Sequence, residues 1–175
     1  MHLRPAILSI LLTTVPTASA VADLKPFVLP WDDASPTITS LAGWQPTPAG
    51  AEGWVSVTPE GHFEVGGRRI RFLGVNIGAE NIFRDRATAE KVAARLAKFG
   101  VNSVRFHHME APWIAHPLLD YTTGNSRTIS PQRLDELHAF IAALKSHGIY
   151  SNINLLVSRA FKVADGFPPE LAQLD

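Results

Sequence analysis

"LAKFGVNSVRF", residues 96–106, and "LKSHGIYSNINL", residues 144–155, are one pattern written twice. Each runs from the end of a helix through a glycine into a strand. Glycine readily takes the left-handed conformation that closes a helix, and the residues after it read as a strand. Before the first copy, Asp85 is the expected N-cap of a helix with Val92, Leu96 and Phe99 on one face, ended by Gly100. Before the second, Ser130 and Pro131 supply an N-cap and a proline at the first helical position. Leu134, Leu137, Ile141 and Leu144 form that helix's apolar face, and Gly148 ends it. A further strand over residues 69–76 precedes the first helix. Strand–helix–strand–helix–strand with short glycine returns implies right-handed crossovers and a parallel sheet, so the chain is α/β.

Upstream, "WVSVTPEGHFEV" carries two β-rich runs, 54–58 and 62–65, separated by the turn signal Pro59-Glu60-Gly61. They read as a β-hairpin, with Gly66-Gly67 making the next turn into the strand. Residues 21–52 are rich in Pro, Thr, Ala and Gly and read as an extended lead-in, with Trp31 and Trp44 as its anchors onto the body. Residues 1–20, "MHLRPAILSILLTTVPTASA", have a short basic start, an apolar run from Ala6 to Val15 and a small-x-small ending. That is the pattern of an export signal cleaved after Ala20. The run is about ten residues, and a bilayer span needs about twenty. The expected destination is secreted or periplasmic, with no membrane association once the signal is removed.

Composition narrows the function further. The 16 basic residues balance the 16 acidic ones, so no net field draws the chain to nucleic acid or an anionic surface. There is no cysteine among the 175 residues, which excludes disulfides and thiol chemistry. No cofactor is expected, and no protein partner can be inferred.

Side chains alternate along a strand, so each strand divides into two faces. In the strand at 101–107, Ser103, Arg105 and His107 share one face, and Val104 and Phe106 share the other. In the strand at 149–157, Ile149, Ile153, Leu155 and Val157 oppose Tyr150, Asn152, Asn154 and Leu156. The apolar faces meet the helices. The polar faces then look inward, as in a (β/α) barrel whose centre supports a site at the C-terminal strand ends. His107 and His108 are neighbours, and in an extended strand they point to opposite sides, so they are not expected to chelate a metal. His108 would turn inward only if the strand ended at His107.

"GHFEVGGRRIRFLGVNI" (61–77), "VAARLAKFGVNSVRFHH" (92–108) and "LKSHGIYSNINL" together resemble the opening of glycoside hydrolases of the cellulase-like (β/α)8 superfamily, most closely family 5. The resemblance spans about residues 53–159. It implies the N-terminal portion of a TIM barrel, about three strands and two helices, preceded by the hairpin. It also implies that Arg105 supports the active site by hydrogen-bonding the catalytic nucleophile, with Asn76 and His107 beside it. His108, Trp113, Tyr121, Asn154, Ser158 and Arg159 are then the substrate-binding candidates, with Trp113 and Tyr121 as a sugar-stacking platform. Leu156 stands where family members often carry a histidine, a contact that Ser158 and Arg159 are candidates to replace.

A retaining glycosidase needs two carboxyl groups about 5 Å apart. In this superfamily they are glutamates on the fourth and seventh strands. Glu80 and Glu110 match neither position, and Asp165 and Glu170 read as solvated loop charges. The expectation is therefore a secreted glycoside hydrolase domain, residues 53–175, truncated before its glutamates and inactive alone. Its substrate would be a poly- or oligosaccharide. The alternatives are an exported, non-catalytic carbohydrate-binding module or inactive remnant, binding through Trp31, Trp44, Trp54 or Trp113, and a metal-dependent hydrolase using His107, His108 and His116. No His-x-His signature supports the last.

Overall fold

The computed structural model describes residues 25–173; the expected signal over 1–20 and its cleavage after Ala20 lie outside them. Ser56–Val57 (β1), Phe63–Val65 (β2) and Arg68–Arg69 (β3) form an antiparallel meander in that order. Gly74–Gly78 (β4), Ser103–His107 (β5) and Tyr150–Ile153 (β6) form a second sheet, parallel throughout. The helices Arg86–Lys98 (α1) and Pro131–Ser146 (α2) make its two crossovers. Over the described residues the chain is a mixed α/β protein with two α-helices and two three-stranded sheets. Among the described residues no helix is long and apolar enough to cross a membrane.

The strand expected over 69–76 is two strands. Gly66 and Gly67, at φ 56° and 73°, turn the chain so that Arg68 and Arg69 pair back onto Val65 and Glu64. The hairpin is thus a three-stranded meander. The chain then crosses to β4 over the side chain of Asn102, which is 1% exposed. Its Nδ2 donates to Arg71 O and its Oδ1 accepts from Leu73 N, both at 2.8 Å. One buried amide thereby satisfies backbone groups that no ladder serves.

Both helices begin where expected. Asp85 Oδ1 accepts from Thr88 N at 2.9 Å, and Ser130 Oγ accepts from Arg133 N. The buried face of α1 is not the expected one: Ala89, Ala93 and Ala97 are buried, Val92 and Leu96 are half-buried, and Phe99 is exposed. Alanines suit the close packing of α1 against α2, where a larger side chain would hold the helices apart. On α2, Leu137 and Leu144 are buried as expected, joined by Phe140 and Ala143, while Leu134 and Ile141 are half-buried. The core centres on Phe106, Phe140, Ile82, Leu144, Ile149 and Val104.

The last strand stops at Ile153 instead of Val157, and Leu155 and Leu156 are exposed. After Asn154, whose amide reaches Phe106 O, the next ladder donors are diverted: Val157 N and Ser158 N donate to the Glu110 carboxylate.

The lead-in docks chiefly through its acids. Trp44 is largely exposed, and Trp31 touches the body only where Lys91 Nζ lies over its ring, 5.8 Å from the centroid. Asp32 pairs with Lys91, and Asp33 Oδ2 accepts from Lys98 Nζ at 2.5 Å and Arg95 Nη1 at 3.2 Å. Backbone bonds from Leu41 N to Lys98 O and from Ala49 N to Lys145 O continue the attachment along both helix C-termini, where cationic side chains and free carbonyls concentrate. Gly148, at φ 77°, allows the close pass: a Cβ there would lie 2.8 Å from Pro46 O.

Lys98, aided by the Ser35 hydroxyl and amide, holds the Asp33 carboxyl far below its ordinary 3.8. A depressed carboxyl contributes stability that is present above the unfolded value and is lost as pH falls through the folded one. Protection of the Leu41 amide against hydrogen exchange should therefore fall as pH drops below 3.8. In Asp33→Asn it should already be low at neutral pH. Unchanged protection in that variant would mean that the acids do not hold the lead-in.

Candidate functional site

Parallel pairing brings the three strand ends to one side. Asn76, Arg105 and Asn152 are Cα partners across the sheet, and Gly78 pairs with His107. Val104 and Phe106 are fully buried between the helices and the sheet, so Arg105 and His107 stand on the opposite face. The alternation expected of this strand is what the structure has.

Arg105, Asn154 and His107 form a chain whose polarity can be assigned. Arg105 Nε lies 2.8 Å from Asn154 Oδ1 and can only donate. The Asn154 amide nitrogen therefore faces His107 Nδ1, also at 2.8 Å, and donates to it. His107 Nδ1 is then an acceptor, and the neutral ring carries its proton on Nε2. Burial, with the neighbouring His108 and Arg105 charges, pushes His107 below its ordinary 6.5, in keeping with that tautomer.

Below 6.5 the unfolded chain binds this proton more readily than the folded one, so the contribution is greatest above 6.5 and falls as pH drops towards the folded value. Protonation at Nδ1 would also set two donors against each other and break the chain at Asn154. A proton NMR titration of His107 should show a midpoint below 6.5. A midpoint at or above it would refute the assigned chain.

His108 sits at φ 61°, uncommon for a residue other than glycine. That twist, one residue past the strand, turns its ring back onto the cluster. Its centroid is 3.9 Å from that of His107 and 5.3 Å from that of Trp113, and its Nδ1 is 2.6 Å from Ser158 Oγ. Even so, among the described residues no three His, Asp or Glu side chains are grouped to hold a metal ion, His107, His108 and His116 included.

Trp113 is 63% exposed beside His108. Tyr121 is partly buried, and burial raises its phenol above the ordinary value. Its hydroxyl donates to Glu110 O at 2.7 Å and accepts from Ala160 N at 3.2 Å. Arg159 Nε donates to Ser126 Oγ, in a network around Asp165. The structure therefore gathers Arg105, His107, His108, Asn154, Ser158 and Trp113, with Asn76 in register. It uses Tyr121 and Arg159 to fasten loops.

Two carboxylates escaped the sequence reading. Asp165 is no solvated loop charge: its side chain is 2% exposed, and it accepts from Ser126 N, Ser126 Oγ and Lys162 N. Burial pushes its pKa up, but these bonds and Arg127 together outweigh it and hold the group below 3.8. Glu110 is 3% exposed, with Oε1 bonded to Val157 N and Ser158 N. Its Oε2 has no partner among the described residues. The available signal was local: Glu110 lies between Met109 and Ala111, both buried. Glu80 accepts from Ala115 N, and Glu170 is exposed as expected.

Compared with known proteins, the chain matches no family model, no curated protein and no solved structure. The class is that of a mixed α/β protein with a polar, aromatic-flanked cluster at the C-terminal ends of a parallel sheet.

Proposed function

We propose that this chain is the opening of a (β/α)8 barrel in a secreted glycoside hydrolase that cleaves O-glycosidic bonds of a poly- or oligosaccharide with retention. The observation that carries the reading is Arg105, exposed on the polar face of a parallel strand and tied through Asn154 to His107 at that strand's C-terminal end. That end of the strands is where barrel enzymes assemble their sites. Two further features support it. β4 and β6 each have one partner strand among the described residues, which suits a sheet that continues on both sides. Trp113 presents an exposed ring next to the histidines, suited to stacking on a sugar face.

The chemistry divides simply. A guanidinium beside the nucleophilic carboxylate keeps it ionised and oriented. His107 Nε2–H donates to a sugar hydroxyl, and Trp113 carries the ring. The two glutamates of the retaining mechanism come from sequence outside these residues. An exported saccharide-binding module is the second reading, favoured by the open rings of Trp113 and of Trp54, which is 95% exposed.

One assay separates them. The product of the whole reading frame, with any continuation past Asp175, is incubated with β-glucans and β-mannans, and the first product's anomer is read by proton NMR. The expected outcome is hydrolysis with retained configuration. Binding without hydrolysis would establish the module instead, and inversion would overturn the proposed mechanism.

A further inference from the structure

A carboxylate withdrawn from water has to be met by donors, and each oxygen left unmet is a cost that an apolar residue of similar size would not carry. Glu110 bears that cost. Its Oε2 is buried without a partner among the described residues, while Oε1 takes two backbone donors, Val157 N at 2.5 Å and Ser158 N at 3.2 Å. Packing alone does not explain a charged side chain there. The explanation lies in what Oε1 grips.

The gripped segment carries Ser158, whose Oγ is 2.6 Å from His108 Nδ1. His108 is already turned by its left-handed backbone and rests edge-on against His107. These two constraints come from its own strand end. Trp113 lies beside the ring, 5.3 Å between centroids, and Ser158 supplies the directional hydrogen bond that can select the ring's rotation. Tyr121 fastens the same clamp a second time, joining Glu110 O to Ala160 N. The order of dependence runs from Glu110 to the 157–158 backbone, then to Ser158 Oγ, then to the imidazole.

We propose that Glu110 is a positioning residue that sets the His108 imidazole through Ser158, leaving Nε2 to meet a sugar hydroxyl. The role of Nε2 rests on reading this sheet end as the glycan site. The positioning itself is measurable without a glycan, so its failure and that of the glycosidase reading are distinguishable.

The test uses the 175-residue chain labelled with 15N and reads the His108 ring nitrogens in long-range proton–nitrogen spectra. Ser158→Ala is expected to shift the Nδ1 signal, and Glu110→Ala to shift it in the same direction. In the Ser158→Ala background, Glu110→Ala should add nothing to that shift. Glu110→Gln, whose amide oxygen can still accept both N–H bonds, should restore the wild-type position. A merely structural Glu110 would keep shifting His108 in that background, and would move remote rings such as His147 equally, which overturns the proposal. If Glu110→Ala does not fold, Ser158→Ala and Glu110→Gln decide the matter. An unmoved His108 in Ser158→Ala, or a Glu110→Gln signal displaced from wild type, also overturns it.

Discussion

Phe106→Ala is expected to lower the unfolding free energy by about 3–5 kcal/mol, the range for removing a fully buried aromatic side chain. Phe106 is 0% exposed, and its ring meets Phe140 of α2 edge-on, with centroids 5.6 Å apart. Edge-to-face pairs add about 0.5–1.5 kcal/mol beyond area burial, so the upper part of the range is the better expectation. Set against a typical domain stability of about 5–15 kcal/mol, this one change removes roughly a fifth or more of it. The control is Ile153→Ala. Ile153 is the Cα partner of Phe106 on β6, yet it is 43% exposed, because β6 has no strand on its outer side among the described residues. It should cost well under half as much. Urea unfolding of the 175-residue chain followed by helical circular dichroism measures both. Equal losses would mean that the outer side of β6 is covered in solution, contrary to this packing.

The contrast between those two residues also marks how far the sequence could be read. Alternation placed Phe106 and Ile153 on the helix side correctly, since a two-residue period is local. It could not say which would be buried, because that depends on neighbours far along the chain. The helix starts at Asp85 and Ser130 and the glycine stops were legible for the same local reason. The alanine face of α1 was not: the larger residues Val92, Leu96 and Phe99 carry the stronger apolar signal, but a close helix pair selects small ones. The division of residues 69–76 depended on Asn102, about thirty residues away, serving Arg71 and Leu73.

The site follows the same rule. Arg105, His107 and Asn154 could be placed from strand periodicity, and the structure joins them in one chain of bonds. Glu110 and Asp165 could not, because a loop carboxylate looks solvated until the backbone that fills its coordination is known. Asp165 is met, and Glu110 met at Oε1 alone, by amides from loops distant in sequence. The docking of the lead-in by Asp32 and Asp33, with Trp44 left outside and Trp31 only under Lys91, depended likewise on the Lys91–Arg95–Lys98 face of α1.

Arg105→Ala should be the most damaging change to activity with the least damage to the fold. On the proposed reading, Arg105 orients the nucleophilic carboxylate and stabilises its charge. Removing one such electrostatic contact typically costs about 100-fold or more in turnover, so a loss on that order in kcat/KM is expected for the whole gene product. Arg105 is exposed on the polar face, opposite the core formed by Val104 and Phe106, so the melting temperature should hardly move. Lysine should not rescue. Its ammonium offers no planar fork to hold Asn154 through Nε while presenting other N–H groups to a carboxylate. A second readout is independent of the glycosidase reading: Arg105 is one of the charges that push His107 down, so its removal should raise the His107 midpoint towards 6.5. The two readouts are separable. If the His107 midpoint rises and activity is untouched, the bond chain stands and the role assigned to Arg105 falls. If neither moves, Arg105 is not coupled to His107 at all, and the polar face of this sheet has been assigned the wrong organising residue.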